Sequence, residues 1–163
     1  MANDGSIASL TEQWIVDTIN AIAEFTGRVK LWEGSLGKDG EKVFDELFGR
    51  MRTPSAVVLF SSDAAIETEE GRQDYDASYA VFVAVRNLRG GGAARMGEGT
   101  AVSEIGVNKV RDLMRTALHD KVPQKQSGGF VTDRSRLAGM QVVFERIDGF
   151  VIRVDLIVKE CPA

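Results

Sequence analysis

Apolar positions recur with two different periods along this chain. Leu10, Trp14, Ile15, Ile19, Ile22 and Ala23 are spaced by threes and fours, which predicts an amphipathic helix. Ser9-Leu10-Thr11-Glu12 at its start reads as a capping box, with Ser9 accepting from the Glu12 amide, and Gly27 ends the segment. Val43, Phe44, Leu47, Phe48 and Met51 predict a second helix over 41–51, which Pro54 keeps from continuing. The longest helix is predicted over 102–119, with Val102, Ile105, Val110, Leu113, Met114, Ala117 and Leu118 inward. Gly106 lies inside it, at a cost of about 1 kcal/mol against alanine.

Elsewhere the period is two. Residues 28–32 form a short strand candidate, and 55–61, apolar and β-branched, suit a strand buried on both faces. Over 75–88, Ala77, Tyr79, Val81, Val83 and Val85 alternate with Ser78, Ala80, Phe82, Ala84 and Arg86, a long strand. Segments 141–146 and 150–159 flank Asp148-Gly149, a tight-turn pair, and predict a hairpin. In its second strand Ile152, Val154, Leu156 and Val158 make one apolar face, as in an antiparallel sheet covered on one side. The segments 34–40, 63–76, 90–99 and 121–134 read as loops. The order α–β–α–β–β–α–β–β predicts an α+β fold: a mostly antiparallel open sheet with helices packed on one face. Neither a repeat nor a linker divides residues 1–163, so a single domain is expected.

Composition narrows the class. A chain of 163 residues, 44% hydrophobic and 27% charged, is long enough to bury a core. Its apolar runs are too short to cross a bilayer, and its start lacks a basic-then-apolar leader, so an intracellular protein with no membrane partner is expected. Cys161, the single cysteine, cannot form an internal disulfide and is expected to fray with the chain end. Charge is uneven: residues 1–80 hold 7 Lys/Arg against 15 Asp/Glu, and residues 81–163 hold 13 against 9. This asymmetry reads as a solvated surface, as a modest basic face for nucleic acid, or as a subunit whose acidic side docks on the basic side of its neighbour, where a two-fold dimer would face like with like.

Candidate chemistry is thin. Residues 90–99 contain five glycines between a strand and a helix, the context of a phosphate-binding loop. Gly92-x-x-x-x-Gly97 matches half of such a loop, but Glu98 stands where the lysine should be and would repel phosphate. Ordering on contact with a partner, or a long mobile connection, are the other readings. His119 is the only histidine, at a helix C-terminus, so no Cys–His or histidine-bearing zinc site can be built. Asp74-Tyr75-Asp76 lacks a calcium-loop pattern and reads as part of a solvated acidic loop. Arg86, Arg89 and Arg95 cluster near the glycines without interleaved aromatics, which gives no stacking platform for nucleic acid. Neither a catalytic centre, a cofactor nor a metal site follows from these residues, and an assembling protein rather than an enzyme is expected.

A more specific expectation comes from the layout. An N-terminal amphipathic helix precedes Pro-Ser-Ala-Val-Val-Leu-Phe at 54–60 and Tyr-Ala-Val-Phe-Val-Ala-Val-Arg at 79–86. A glycine-rich loop, Val-Arg-Asp-Leu-Met at 110–114 and the C-terminal hairpin follow. This resembles the Mu-like phage tail protein family that includes tail terminators and tail-completion proteins, over nearly the whole chain. The resemblance implies a tail-terminator-like fold and a ring, of six copies, that caps the tail tube, stops its growth and docks the head connector. The implied partners are further copies of the chain, the tail tube protein and the connector or neck protein, with DNA passing the lumen unbound. The implied setting is the host cytoplasm during assembly and then the virion tail. A neck or head-completion protein of the same machine is the alternative, as is, from a different class, a small-ligand or nucleotide-binding protein using residues 90–99. The candidate interface residues are Trp32 and Leu36, the cations Arg86, Arg89 and Arg95, and the acids Glu67, Glu69 and Glu70.

Overall fold

The computed structural model describes residues 5–34, 40–67, 73–86, 105–146 and 149–163. Helix α1 (Ile7–Asn20) is capped by Ser6, whose hydroxyl accepts from the Ser9 amide at 3.1 Å. The cap therefore lies three residues before the expected Ser9, and Glu12 is not the return partner of a capping box. Thr11, Ile15 and Ile19 are buried, with Trp14, Val16 and Ile22 packed at the margin. A 3₁₀ turn (Ala23–Phe25) buries Phe25, and Gly27, at φ +74°, leads into β1 (Val29–Leu31). Helix α2 (Glu41–Asp45) continues as a π turn (Glu46–Arg50). Its expected stripe, Val43, Phe44, Leu47, Phe48 and Met51, joins one apolar cluster.

The remaining elements are β2 (Ser55–Glu67), β3 (Gln73–Arg86), α3 (Val107–Leu118), β4 (Gln126–Ser127), β5 (Phe130–Arg146) and β6 (Gly149–Pro162). All six strands form one sheet in the order β1-β2-β3-β6-β5-β4. β1 runs parallel to β2, and every other neighbouring pair is antiparallel. A row across the sheet joins Phe60, Tyr79, Leu156 and Leu137. It separates a near half, where β2 begins and the β5–β6 hairpin turns, from a far half holding the β2–β3 tip.

Helices cover both faces, which corrects the expectation of one. α1 and α3 lie on the first face over Val58, Tyr79, Val81, Val83, Ile152, Val154 and Leu156. α2 covers the second, where Val57, Ala80, Phe82, Ala84 and Val151 are buried. The central strands are apolar on both sides of their near halves, and water would otherwise meet that second face.

Several strands are longer than their apolar patterns. Residues 63–67 and 73–76, expected as an acidic loop, continue the β2–β3 ladder, with Asp63 opposite Ala77 and Ala65 opposite Tyr75. Asp74 is 2% exposed, and Lys159 Nζ lies 3.3 Å from its carboxylate, so it is not a solvated acid. Within the expected loop 121–134, Gly128 (φ +61°) and Gly129 (φ +83°) make the two-residue turn between β4 and β5. Gly106 is not inside a helix; it is the extended residue that caps α3. Cys161 is not frayed: it pairs with Val131 in the sheet and is buried. No described helix is long and apolar enough to cross a membrane.

Candidate assembly surfaces

An inner strand has its backbone polar groups paired on both sides, whereas an outer strand leaves one row open to another chain. β2 is covered by β1 only at Ala56–Val58, and the Trp32 amide adds one bond to the Val58 carbonyl. Beyond that, the Glu12 carboxyl of α1 lies near the Phe60 backbone, which lowers its pKa against the larger effect of burial. From Ser61 to Glu67 the outer edge of β2 has no strand neighbour among the described residues.

The opposite edge repeats the situation at the other end of the sheet. β4 covers β5 only at Phe130 and Val131. The segment after α3 then takes over: Thr132 donates to the Lys125 carbonyl, Ser135 exchanges bonds with Asp120 and Lys121, and the Leu137 amide donates to His119 Nδ1. His119 thus has a place as an edge acceptor. From Ala138 to Arg146 no described strand pairs with the outer side of β5. Bulges after Leu137 and Val142 bend this stretch.

Among the described residues three large hydrophobics stand out into solvent: Phe60 on β2 and Val142 on β5, at 41% and 42% exposure, and Val122 in the segment after α3. Phe60 aligns with Tyr79 and Val142 with Ile152, both core residues under α1 and α3, so the two point to one face.

The surroundings of the two edges differ in charge. Behind the β2 edge the Tyr79 hydroxyl is fully buried and without a hydrogen-bond partner. Its neighbour Thr11 donates instead to the Ile7 carbonyl at 2.7 Å. Burial pushes the Tyr79 phenol well above its ordinary value; Thr11 works against the shift, and the nearby Glu160, Glu12 and Asp63 carboxylates add to it. Burial also raises Glu160, 7% exposed, with Asp63 adding repulsion. It raises Glu12 too, against the effect of the Phe60 backbone. Beside the β5 edge is a basic recess of about 290 Å³ lined by Arg111, Arg115, His119 and Leu137 to Met140. Both arginines are exposed, and neither has an ion-pair partner among the described residues.

Of the expected interface residues, Trp32, Arg86 and Glu67 fall within the described residues, on three different elements or segments. Trp32 packs at the margin of the α2 cluster, its Nε1 buried without a partner, and lines a groove with Gln13, Lys30 and Glu33. Arg86 ends β3 and lines a separate recess with Phe48, Phe144 and Arg146. Glu67 is the last residue of β2. Leu36, Arg89, Arg95, Glu69 and Glu70, like the whole glycine segment 90–99, lie outside the described residues. Phe60, Tyr79, Glu160 and Val142 were not singled out as surface residues by sequence. Each belongs to an ordinary strand pattern, and only the strand order makes an edge of β2 and of β5. The sequence matches no protein-family model and no curated protein.

Proposed function

We propose that this protein is a phage tail terminator: a ring of identical subunits that caps the tail tube, stops its growth and offers a docking surface to the head connector. The observation that carries this reading is the arrangement of the segments that resemble the family. Residues 55–60 lie in β2, 79–86 form the end of β3, 110–114 lie within α3, and the C-terminal hairpin is β5–β6 of the same sheet. They assemble into one mixed α/β unit.

A ring of identical copies needs two different, mutually complementary surfaces on each copy. The acidic environment behind β2 and the basic recess beside β5 supply that asymmetry. Surface ion pairs contribute only about 0–1 kcal/mol each, so the joint also requires apolar contact and backbone pairing. The six-fold count comes from the resemblance alone.

Negative-stain imaging of the protein with and without purified tail tubes tests the proposal. Free rings, or a cap at one end of each tube, are the expected images; a protein that stays monomeric and never binds tube or connector would refute it. Saturable heat on titrating ATP, GTP or NAD would favour the ligand-binding alternative instead.

A further inference from the structure

We infer that copies of this chain join head to tail by strand addition, the edge of β2 that no described strand covers in one copy pairing with the corresponding edge of β5 in the next. This deepens the ring reading by naming its joint, and it rests on different observations.

Sheet edges that stay single are normally guarded by charge, proline or a covering segment. Here the covered halves end abruptly. On β5 the covering segment stops at Leu137, and the seven residues 138–144 that follow contain no charged side chain and no proline. On β2, residues 61–66 are Ser-Ser-Asp-Ala-Ala-Ile, with one charge and no bulky side chain to hold a neighbour away. Such stretches are templates for another strand.

Three features choose a second copy, in this polarity, as the occupant. Strand direction is the first. β2, β3, β6 and β5 alternate in direction, so β5 runs opposite to β2. Copies related by rotation about an axis along the strands keep their direction. β5 of one beside β2 of the next is therefore antiparallel and extends the same alternation. Face is the second: Phe60 and Val142 both lie on the α1/α3 face, where the seam would cover them together.

Charge is the third. β2 against β2 would bring Asp63, Glu12 and Glu160 of each copy together, and β5 against β5 would oppose Arg111 and Arg115 to themselves. Only β2 against β5 sets the arginines before the carboxylates, beside the buried Tyr79 hydroxyl that lacks a partner.

The two edges without a described neighbour lie at opposite ends of the sheet, β2 beyond Phe60 and β5 on the other side of Leu137. Successive copies are thus offset along the strands by roughly 8 residues, or about 25 Å at the usual strand rise. A closed ring takes up this offset as strand tilt, as barrels do.

Lysine placed on either edge should block it. Ala64→Lys and Val142→Lys alter exposed sites, and thermal melts verify that both variants fold. By native mass spectrometry the wild type should show multimers that grow with concentration, and each variant alone should be monomeric. Their equimolar mixture should give a one-to-one dimer, twice the monomer mass, and nothing larger, because each variant keeps one intact edge. A wild type that stays monomeric at every concentration, variants that multimerise like the wild type, or a mixture that stays monomeric would each overturn the inference.

Should a lysine variant not fold, Ala65→Cys and Val142→Cys, both on the α1/α3 face, joined by a short bismaleimide give a second readout; Cys161 is buried and does not compete. Covalent dimers in the mixture and not in either sample alone are expected, and their absence overturns the inference. Tubes capped as well by the lysine variants as by wild type would sink the edge pairing and leave the tail reading standing. One-to-one dimers without any capping would do the reverse.

Discussion

The near and far halves of β2–β3 share one hydrogen-bonded ladder and differ in everything else. From Ser55 to Val58, β2 is fully buried, with Ala56 and Val58 on one face and Val57 on the other. From Ser61 to Ala65 every residue is exposed. The first half is held by burial on two faces and the second by backbone pairing to β3, which by itself contributes little net stability. The near half is the protein's core; the far part of β2 is surface built as strand.

Substitutions can break that comparison. Ile152→Ala, in the row of Val83 and under α1 and α3, should lower stability by about 2–5 kcal/mol, read from the urea midpoint. A loss no greater than that of a surface change would mean that the near half is not the core. Gly149→Ala comes next. Its Cβ would meet the Val85 carbonyl oxygen at 2.6 Å and a Phe48 ring carbon at 3.1 Å. Backbone cannot give way as a side chain does, so a loss of about 1–3 kcal/mol is expected. A neutral result by thermal melt would show that the hairpin end is loosely packed.

Changes in the far half should be smaller, and one should be favourable. Burial holds the Glu160 carboxyl above its ordinary range, so the folded chain binds that proton more tightly than the unfolded chain. This group's contribution to stability therefore falls as pH rises from the ordinary carboxylate value through the raised one, and returns on acidification. Glu160→Gln should melt above wild type near pH 7, and the two should converge by about pH 4. A variant less stable at neutral pH would mean that the carboxylate is satisfied in the folded chain. The smallest effect is expected of Ala64→Ser, within about 0.5 kcal/mol. A larger loss in the monomer would place the hairpin tip among the cooperative core elements.

The same division decides what could be read from sequence. Alternation is a record of burial, so Tyr79 to Val85 and Ile152 to Val158 announced their strands and the face they share. Asp63 to Ala65 bury nothing and leave no such record; acidic neighbours made them look like loop. β5 was visible only over 141–146 because Asp133 and Arg134 interrupt its pattern and bulges break the period of two. Residues 55–61 did read as a strand buried on both faces, but helices were expected on one face only, and α2 over Val57, Ala80, Phe82 and Ala84 was missed. The edges were illegible for another reason: no residue on β2 or β5 states which strand will lie beside it. That information is in the placement of β6 between β3 and β5, a long-range choice without a local signature.

That placement bears on how the protein is made. β6 comes last in chain order among the described strands and sits in the interior of the sheet, where it supplies Ile152, Val154, Leu156 and Val158 to the core. While the chain is being synthesised, β3 lacks that neighbour and α1 and α3 lack much of the surface they pack on. The earlier elements are therefore expected to stay incompletely packed, with apolar stripes exposed, until the β5–β6 hairpin joins the sheet. Nascent chains halted before residue 149 should be protease-sensitive throughout, while those released beyond residue 158 resist as a unit.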